Sequence, residues 1–474
     1  MSFARRHFGK LTLAALVTGL LGAHVAINAR ARLSPPVISE PRGQASHPSP
    51  GLRRFADSYV KSRGKLLEVG LRGSPERIGF AHARLLYPEM VANEGILLGR
   101  FQEQVPNQVA RGLLLDLAKL RYAHVDRGMS LARREEIAAG ARGFQPDPYS
   151  ALFPTYQRFV YLNALYDMAL SFEHSPLIGC TTITIGGDAL DGGGGILARA
   201  FDFEVDEVFD RHKAVFLVRE EGKIPFASVA WPGLVGVVSG MNQSGVAVVV
   251  HGARGGSPEA EGEPVVHALR RVLSTAHDTE EALRALAERP AMVSHIVILS
   301  DEHGRAVTVE RMPGRANFVR FLPNKAATTN HFEGPGASDP KNLDVRTKTS
   351  TLPRRSRADE LLARLPAQLS PSNAVSGAIS ILRDRNGPGD RRLALGDRSA
   401  INALIATHGV VMDNLQRVLW VSESPHLLGR FVAFDLKRML APDYDPEHVS
   451  ELPASGEDPL LSSGDYARFR AKQD

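Results

Sequence analysis

Apolar residues recur at three- and four-residue spacings over Leu113–Leu120, Leu131–Ala141 and Thr155–Phe172, the period of a helix with one buried face. Ser74-Pro75 ahead of Glu76 marks a helix start, with serine as the cap and proline in the first helical position. Residues 55–179 therefore read as a helical segment. After Gly179 the pattern changes. Thr181–Ile185, Ile196–Phe203, Ala214–Val218, Ile224–Ala230, Leu234–Val238 and Val246–Val250 are short β-rich runs separated by glycine-rich or charged turns. Pro264–Ala287 predicts two helices split at His277-Asp278-Thr279, with Pro264 in a first helical position. Ser294–Leu299, Ala306–Arg311 and Asn317–Phe321 return to strands, and Arg357–Leu365 and Asn373–Leu382 to helices. Gly409–Met412, Arg417–Val421 and Arg430–Phe434 close the chain as strands. This order predicts an α+β fold, two packed and largely antiparallel sheets with helices outside. Asp188–Gly195 reads as a hairpin turn, because it lacks the carboxylate spacing of a calcium loop.

The N-terminus has a different character. Arg5, Arg6 and Lys10 precede an apolar run from Leu11 to Ile27, followed by Ala29-Arg30-Ala31. Residues 1–31 read as a signal peptide or an N-terminal membrane anchor, at the short end of what spans a bilayer. The expectation is an exported chain, periplasmic or secreted, membrane-anchored where the leader stays on. Residues 32–54 are rich in Pro, Ser, Gly and Arg without periodicity and read as a linker.

Composition narrows the chemistry. The 474 residues exceed one compact core, and 43% hydrophobic with 23% charged residues excludes a wholly disordered chain. A net charge of +5, with no basic run interleaved with aromatics, excludes a nucleic-acid partner. One cysteine, Cys180, excludes a disulfide framework and cysteine-rich metal sites. Nothing has zinc or magnesium spacing, and no phosphate-cradling loop is present. No metal and no cofactor are expected.

Cys180 lies where the helical part meets the β-rich part, in Gly179-Cys180-Thr181-Thr182. A buried thiol packing as a small apolar side chain is one interpretation. Its position suggests another. Gly179 leaves the preceding carbonyl open, and a strand begins at the thiol. Attack on that carbonyl would shift the peptide to a thioester, and water would release a new N-terminus. The freed α-amine has an ordinary pKa of about 7.7–8.0, so it can serve as base for its own side chain.

Gly179-Cys180-Thr181-Thr182 followed by Arg199-Ala200-Phe201-Asp202 resembles the cysteine N-terminal-nucleophile hydrolases, and within them the acyl-coenzyme A:isopenicillin N (6-aminopenicillanic acid) acyltransferase family. Penicillin V acylase, bile salt hydrolase and acid ceramidase are more distant. Gly73-Ser74-Pro75-Glu76-Arg77-Ile78-Gly79 and Glu136-Ile137-Ala138-Ala139-Gly140-Ala141 are similar to the family's prosegment. Gly240-Met241-Asn242-Gln243-Ser244-Gly245-Val246 resembles its Met-Asn turn, Thr329-Asn330-His331-Phe332 its second asparagine motif, and Arg354-Arg355-Ser356-Arg357 its helix start. Val411–Val421 and Phe431–Leu436 resemble its terminal strands.

The resemblance implies a four-layer αββα sandwich preceded by a helical prosegment, and autocleavage between Gly179 and Cys180. Residues 55–179 would form the small chain and 180–474 the catalytic domain, the two remaining together as a heterodimer. The implied activity is that of an amidohydrolase or acyltransferase on a small-molecule acyl amide or thioester, through an acyl-enzyme on Cys180. Acyl-coenzyme A-dependent N-acyl transfer is the rival within enzymes. A non-catalytic, membrane-tethered binding protein is the rival outside them. The family's roles fall on Arg199 beside the thiol, Asp202 at the new amino terminus, Asn330 holding substrate or amine, and Arg354 as the distal arginine. Each has a plainer alternative: a strand-end ion pair for Arg199 and Asp202, a turn cap for Asn330, a solvated helix face for Arg354. A one-residue shift would exchange Arg354 with Arg355. Where the family often has an oxyanion asparagine this chain has His251, so the His251 ring or the Gly252 backbone N–H is the oxyanion candidate.

Overall fold

The computed structural model describes residues 18–19, 21–39, 43, 45–171, 178–203, 206–448 and 451–472. Two sheets dominate. The smaller has six strands, in the order Lys325–Thr328, Ile178–Gly186, Gly195–Phe203, Ala406–Asp413, Val418–Ser422 and Phe431–Asp435, with every neighbouring pair antiparallel. The larger has eleven. Through its centre run Leu66–Gly73, Ala214–Glu220, Phe226–Ala230, Ser239–Asn242, Ala247–Gly252, His295–Ser300 and Ala306–Arg311. Leu66–Gly73 pairs parallel to Ala214–Glu220.

The period of two along each strand makes the layers. Val215 and Leu217 point into the gap between the sheets and meet Leu197, Met412 and Val421. Phe216 and Val218 point the other way, into a helix layer that includes Ile78, Ile137 and Leu269. On the far face of the six-stranded sheet, Ile183, Ile185 and Ala198 pack against Ala358, Leu362 and Ile379 from helices Thr351–Arg364 and Pro371–Leu382. Each such buried aliphatic side chain contributes about 1.5–3 kcal/mol. The outcome is a four-layer αββα sandwich.

The helix starts follow their local chemistry. Ser74 accepts from the Arg77 N–H ahead of Pro75–Leu85. Asp278 caps Thr279–Ala287 through the Glu281 N–H, which fixes the break between the paired helices. Pro264 is the residue before Val265–Thr275 rather than its first member.

The structure corrects the helical assignment at its start. Leu52–Phe55, Ser58–Arg63 and Leu66–Gly73 are strands. In Leu66–Gly73, Leu67, Val69 and Leu71 alternate with Glu68, Gly70 and Arg72, the period of a strand, which the helical assignment of residues 55–179 passed over. Ala45–Ser49 and Leu52–Phe55 also extend into the segment read as linker, where Leu33 and Ile38 are buried. Leu234–Val238 is a crossing loop, held by the Val237 N–H on the Val266 carbonyl, and the strand begins at Ser239. Of the leader, residues 1–17 and 20 lie outside the described residues, and residues 21–30 form a helix. Among the described residues no helix is long and apolar enough to cross a membrane.

Candidate active site

Cys180 is the third residue of strand Ile178–Gly186. In register it faces Phe201, while Gly179 faces Asp202 and Thr182 faces Arg199. Alternation sorts these residues onto two faces. Arg199 turns toward the large sheet and reaches the Val238 and Val250 carbonyls. Thr181 turns toward the helix layer and meets Arg354.

On the inter-sheet face, Arg199 Nη2 lies 3.2 Å from Cys180 Sγ. The same guanidinium donates to the Val250 carbonyl at 2.5 Å, the Val238 carbonyl at 2.9 Å and Ser239 Oγ at 2.5 Å. It rests 4.1 Å over the Phe201 ring and is fully buried. Behind it, Ser239 Oγ is 3.0 Å from His408 Nε2. Burial pushes the Cys180 thiol up from its ordinary pKa, and Arg199 pulls against that rise. The cation is placed where thiolate charge would develop.

Asn330 and Arg354 hold the backbone of the same residue. Asn330 follows strand Lys325–Thr328, and Thr351 Oγ accepts its backbone N–H at 2.9 Å. Its Oδ1 accepts from the Cys180 N–H at 2.8 Å and from Arg354 Nη2 at 2.9 Å, and its Nδ2 donates to the Gly252 carbonyl at 2.9 Å. Arg354 Nη1 donates to the Cys180 carbonyl at 2.5 Å and to Thr181 Oγ at 2.9 Å. Helix phase separates Arg354 from its neighbour. One residue later the side chain has turned about 100°, and Arg355 pairs with Glu333 and Asp359 instead. Arg357 leaves the site as well, for Asp384 and Asp390.

Asp202 stands on the Gly179 side. A Cβ on residue 179 would sit 3.2 Å from Asp202 Oδ2, so the glycine permits the carboxylate to approach the peptide bond ahead of Cys180. Arg199 and Asp202 occupy opposite faces, as their spacing requires. The partner strand is irregular opposite Asp202, between Ala406 and His408, and regular opposite Arg199.

The structure corrects His251. Its Nδ1 is 3.1 Å from the Thr329 carbonyl, so Nδ1 carries the proton, and its Nε2 is 2.6 Å from Thr182 Oγ. Burial, with Arg199 adding to it, holds the ring well below its usual pKa, so it is neutral and Nε2 accepts. No ring N–H remains for an oxyanion, and His251 braces Thr182 against Thr329. Gly252 is within the site, with its carbonyl occupied by Asn330.

An apolar cavity of about 120 Å³ opens beside Phe201. Leu97, Leu162 and Tyr166 line it from before Gly179, and Phe201, Phe203 and Trp231 from after it. The Tyr166 hydroxyl is buried without a hydrogen-bond partner among the described residues. Burial lifts this phenol well above its ordinary range, with Cys180 adding to the rise and Arg199 opposing it. Sequence reasoning missed Tyr166, Ser239 and His408. Tyr166 sits in an ordinary apolar helix pattern, and the Ser239–His408 support exists only once the two sheets are packed.

A family model described as acyl-coenzyme A:6-aminopenicillanic acid acyl-transferase matches residues 190–403. An uncharacterized protein of Archaeoglobus fulgidus is 26% identical over 267 residues, which is 51% of this chain and 44% of that protein. The chain therefore spans less than half the length of this curated relative. Among solved structures, a Caenorhabditis elegans N-acylethanolamine-hydrolyzing acid amidase ortholog aligns at 16% identity and TM-score 0.37, over 50% of this chain and 93% of its own. Penicillin V acylase from Agrobacterium tumefaciens aligns at 17% identity and TM-score 0.37, over 59% and 99%. A variant of conjugated bile acid hydrolase from Clostridium perfringens aligns at 11% identity and TM-score 0.36, over 58% and 100%. The family match begins ten residues after Cys180 and includes Arg199, Asp202, Gly252, Asn330 and Arg354. Over residues 190–403 this chain resembles the acyl-coenzyme A:6-aminopenicillanic acid acyltransferase family, as its motifs do.

Proposed function

We propose that this chain is a self-processing cysteine amidohydrolase of the N-terminal-nucleophile class, acting on N-acylated small molecules with an apolar acyl group. One observation carries the proposal: the Cys180 thiol lies on Arg199 while its backbone N–H lies on Asn330. The sulfur and the nitrogen of one residue are thus held by separate partners. In processing, Sγ adds to the Gly179 carbonyl carbon. The C–N bond to Cys180 breaks as the thioester forms, and the thiol proton passes to the departing nitrogen. Water then hydrolyses the thioester to a Gly179 carboxylate and a Cys180 bearing a free thiol and α-amine.

In turnover the amine takes the thiol proton, and the thiolate attacks the acyl carbonyl. The ammonium protonates the leaving amine, an acyl-enzyme remains, and water releases the acid. Arg199 steadies the thiolate. Asp202 and Asn330 Oδ1 orient the ammonium. Asn330 Nδ2 and the Gly252 backbone N–H are the donors for the oxyanion. The acyl chain lies in the cavity beside Phe201. The leader fits export, with residues up to Gly179 as the small chain and Cys180–Asp474 as the large one.

Transfer to an amine from an acyl-coenzyme A thioester is the second reading, favoured by the description of the matched family. It calls for an amide product that grows with added amine. Intact mass and N-terminal sequencing of the purified protein test the primary proposal. Two fragments are expected, the larger beginning at Cys180, and Cys180→Ala should stay one inactive polypeptide. Cleavage persisting in Cys180→Ala, or an uncut and fully active chain, ends it.

A further inference from the structure

Helix Gln108–Arg121 turns its leucines outward. Val109, Leu113, Leu117 and Leu120 fall within about 80° of one another around the helix axis and are exposed, Val109 at 67% and Leu117 at 62%. Asp116, at the edge of that strip, and Lys119, beyond it, are covered and only 5% and 6% exposed. The helix over residues 21–30 takes them up: His24 Nδ1 is 2.6 Å from Asp116 Oδ2, and Lys119 Nζ donates to Asn28 Oδ1 at 2.6 Å. On that second helix Leu21 is 61% and Val25 67% exposed. A helix facing water buries leucine. Two adjoining helices that leave leucine and valine exposed form a surface suited to an apolar phase.

We infer that these two helices dock the protein on a lipid bilayer bearing anionic headgroups. The sequence leading into the second helix favours a bilayer over a second copy of the chain. Leu11–Ile27 is an apolar run preceded by Arg5, Arg6 and Lys10, and its last part is fixed to the leucine-bearing helix by the His24 and Asn28 contacts. Exposed Arg121 and Arg127 lie just beyond the other end of the leucine strip. An apolar face with arginines at its described end, joined to a leader whose sequence is basic and then apolar, matches an interfacial helix on an anionic membrane. The docked surface also adjoins the acyl cavity in sequence. Helix Tyr87–Gln104, whose Met90 and Leu97 line that cavity, ends three residues before the leucine-bearing helix starts.

Flotation of the full chain with phosphatidylcholine vesicles, with and without phosphatidylglycerol, tests the inference. The wild type should float with the anionic vesicles and lose part of that binding in high salt. A Leu113→Ser/Leu117→Ser/Leu120→Ser variant should partition at least about tenfold less, with thermal midpoint and chain processing unchanged. Leu117→Glu alone should weaken binding in the same direction, and it carries the test if the triple variant does not fold. Equal flotation of wild type and variants would assign any binding to the leader alone and overturn the inference. So would absence of wild-type flotation at low salt, or a dimer in solution that the variants abolish while vesicles go unbound.

Discussion

Arg199 has four acceptors for its guanidinium, and the Cys180 sulfur is the only one that changes charge in the proposed chemistry. The three oxygens fix the arginine whether or not the thiol ionises, so the cation is in place before thiolate forms. Arg199→Met should therefore raise the pH needed for iodoacetamide to alkylate Cys180 and slow turnover at neutral pH by about 10²–10³-fold. An alkylation profile that does not move would remove Arg199 from the thiol's electrostatics. Cys180, Arg199, Asp202, Asn330 and Arg354 were legible in the sequence because short motifs mark them. The choice of Arg354 over Arg355 and the neutral, fully engaged His251 were not, since helix phase and buried hydrogen bonds decide those.

At the scale of elements, Asp167 joins the segment before Gly179 to the segment after it. It lies on helix Leu165–Leu170 and its Oδ2 accepts the Val265 N–H at 3.0 Å, at the start of helix Val265–Thr275. Burial pushes this carboxyl from its ordinary 3.8 up to about 7, against the pull of the Val265 N–H and Arg311. A raised folded-state pKa means that the folded protein favours the protonated group. Its contribution is complete below about pH 4 and is lost as pH rises through 7, roughly 4 kcal/mol between those limits. Asp167→Asn keeps a carbonyl on the helix N-terminus and removes the titration, so thermal stability should fall less steeply between pH 4 and 7. An identical slope in the variant would show that Asp167 does not titrate there. Strands proved nearly as legible as side chains: Ala306–Arg311 falls where its alternation predicts. Leu66–Gly73 also alternates, Leu67, Val69 and Leu71 against Glu68, Gly70 and Arg72, but the run is short, abuts a helix start, and pairs with a strand distant in sequence, Ala214–Glu220.

For the whole molecule, the residues on either side of Gly179 share one sheet and one charge cluster. Leu66–Gly73 takes an interior place in the eleven-stranded sheet. Arg133 pairs with Glu136 at 2.6 Å and Glu220 at 2.5 Å, and Arg270 with the same two carboxylates at 2.9 Å and 3.1 Å, all buried. Cutting one peptide bond in this arrangement removes neither the strand nor the cluster. The two fragments of the proposed cleavage should co-elute in gel filtration until denaturant is added. Glu136→Gln, which leaves the two arginines short of one charge, should lower stability by about 3–5 kcal/mol. Fragments that part in buffer, or a Glu136→Gln protein as stable as wild type in urea, would refute this picture of the interface.

The order of apolar and polar residues was enough to establish an α+β chain, two sheets with helices outside, and a lone thiol at a helix-to-strand junction. Those follow from local periodicity and from residue chemistry, which act within a few neighbours. Tertiary structure alone decided that Leu66–Gly73 takes an interior place in the large sheet, that the cavity is walled from both sides of Gly179, and that Asp116 and Lys119 are covered beside exposed leucines. Each of these depends on segments tens to hundreds of residues apart meeting in space, and a linear pattern holds no record of that meeting.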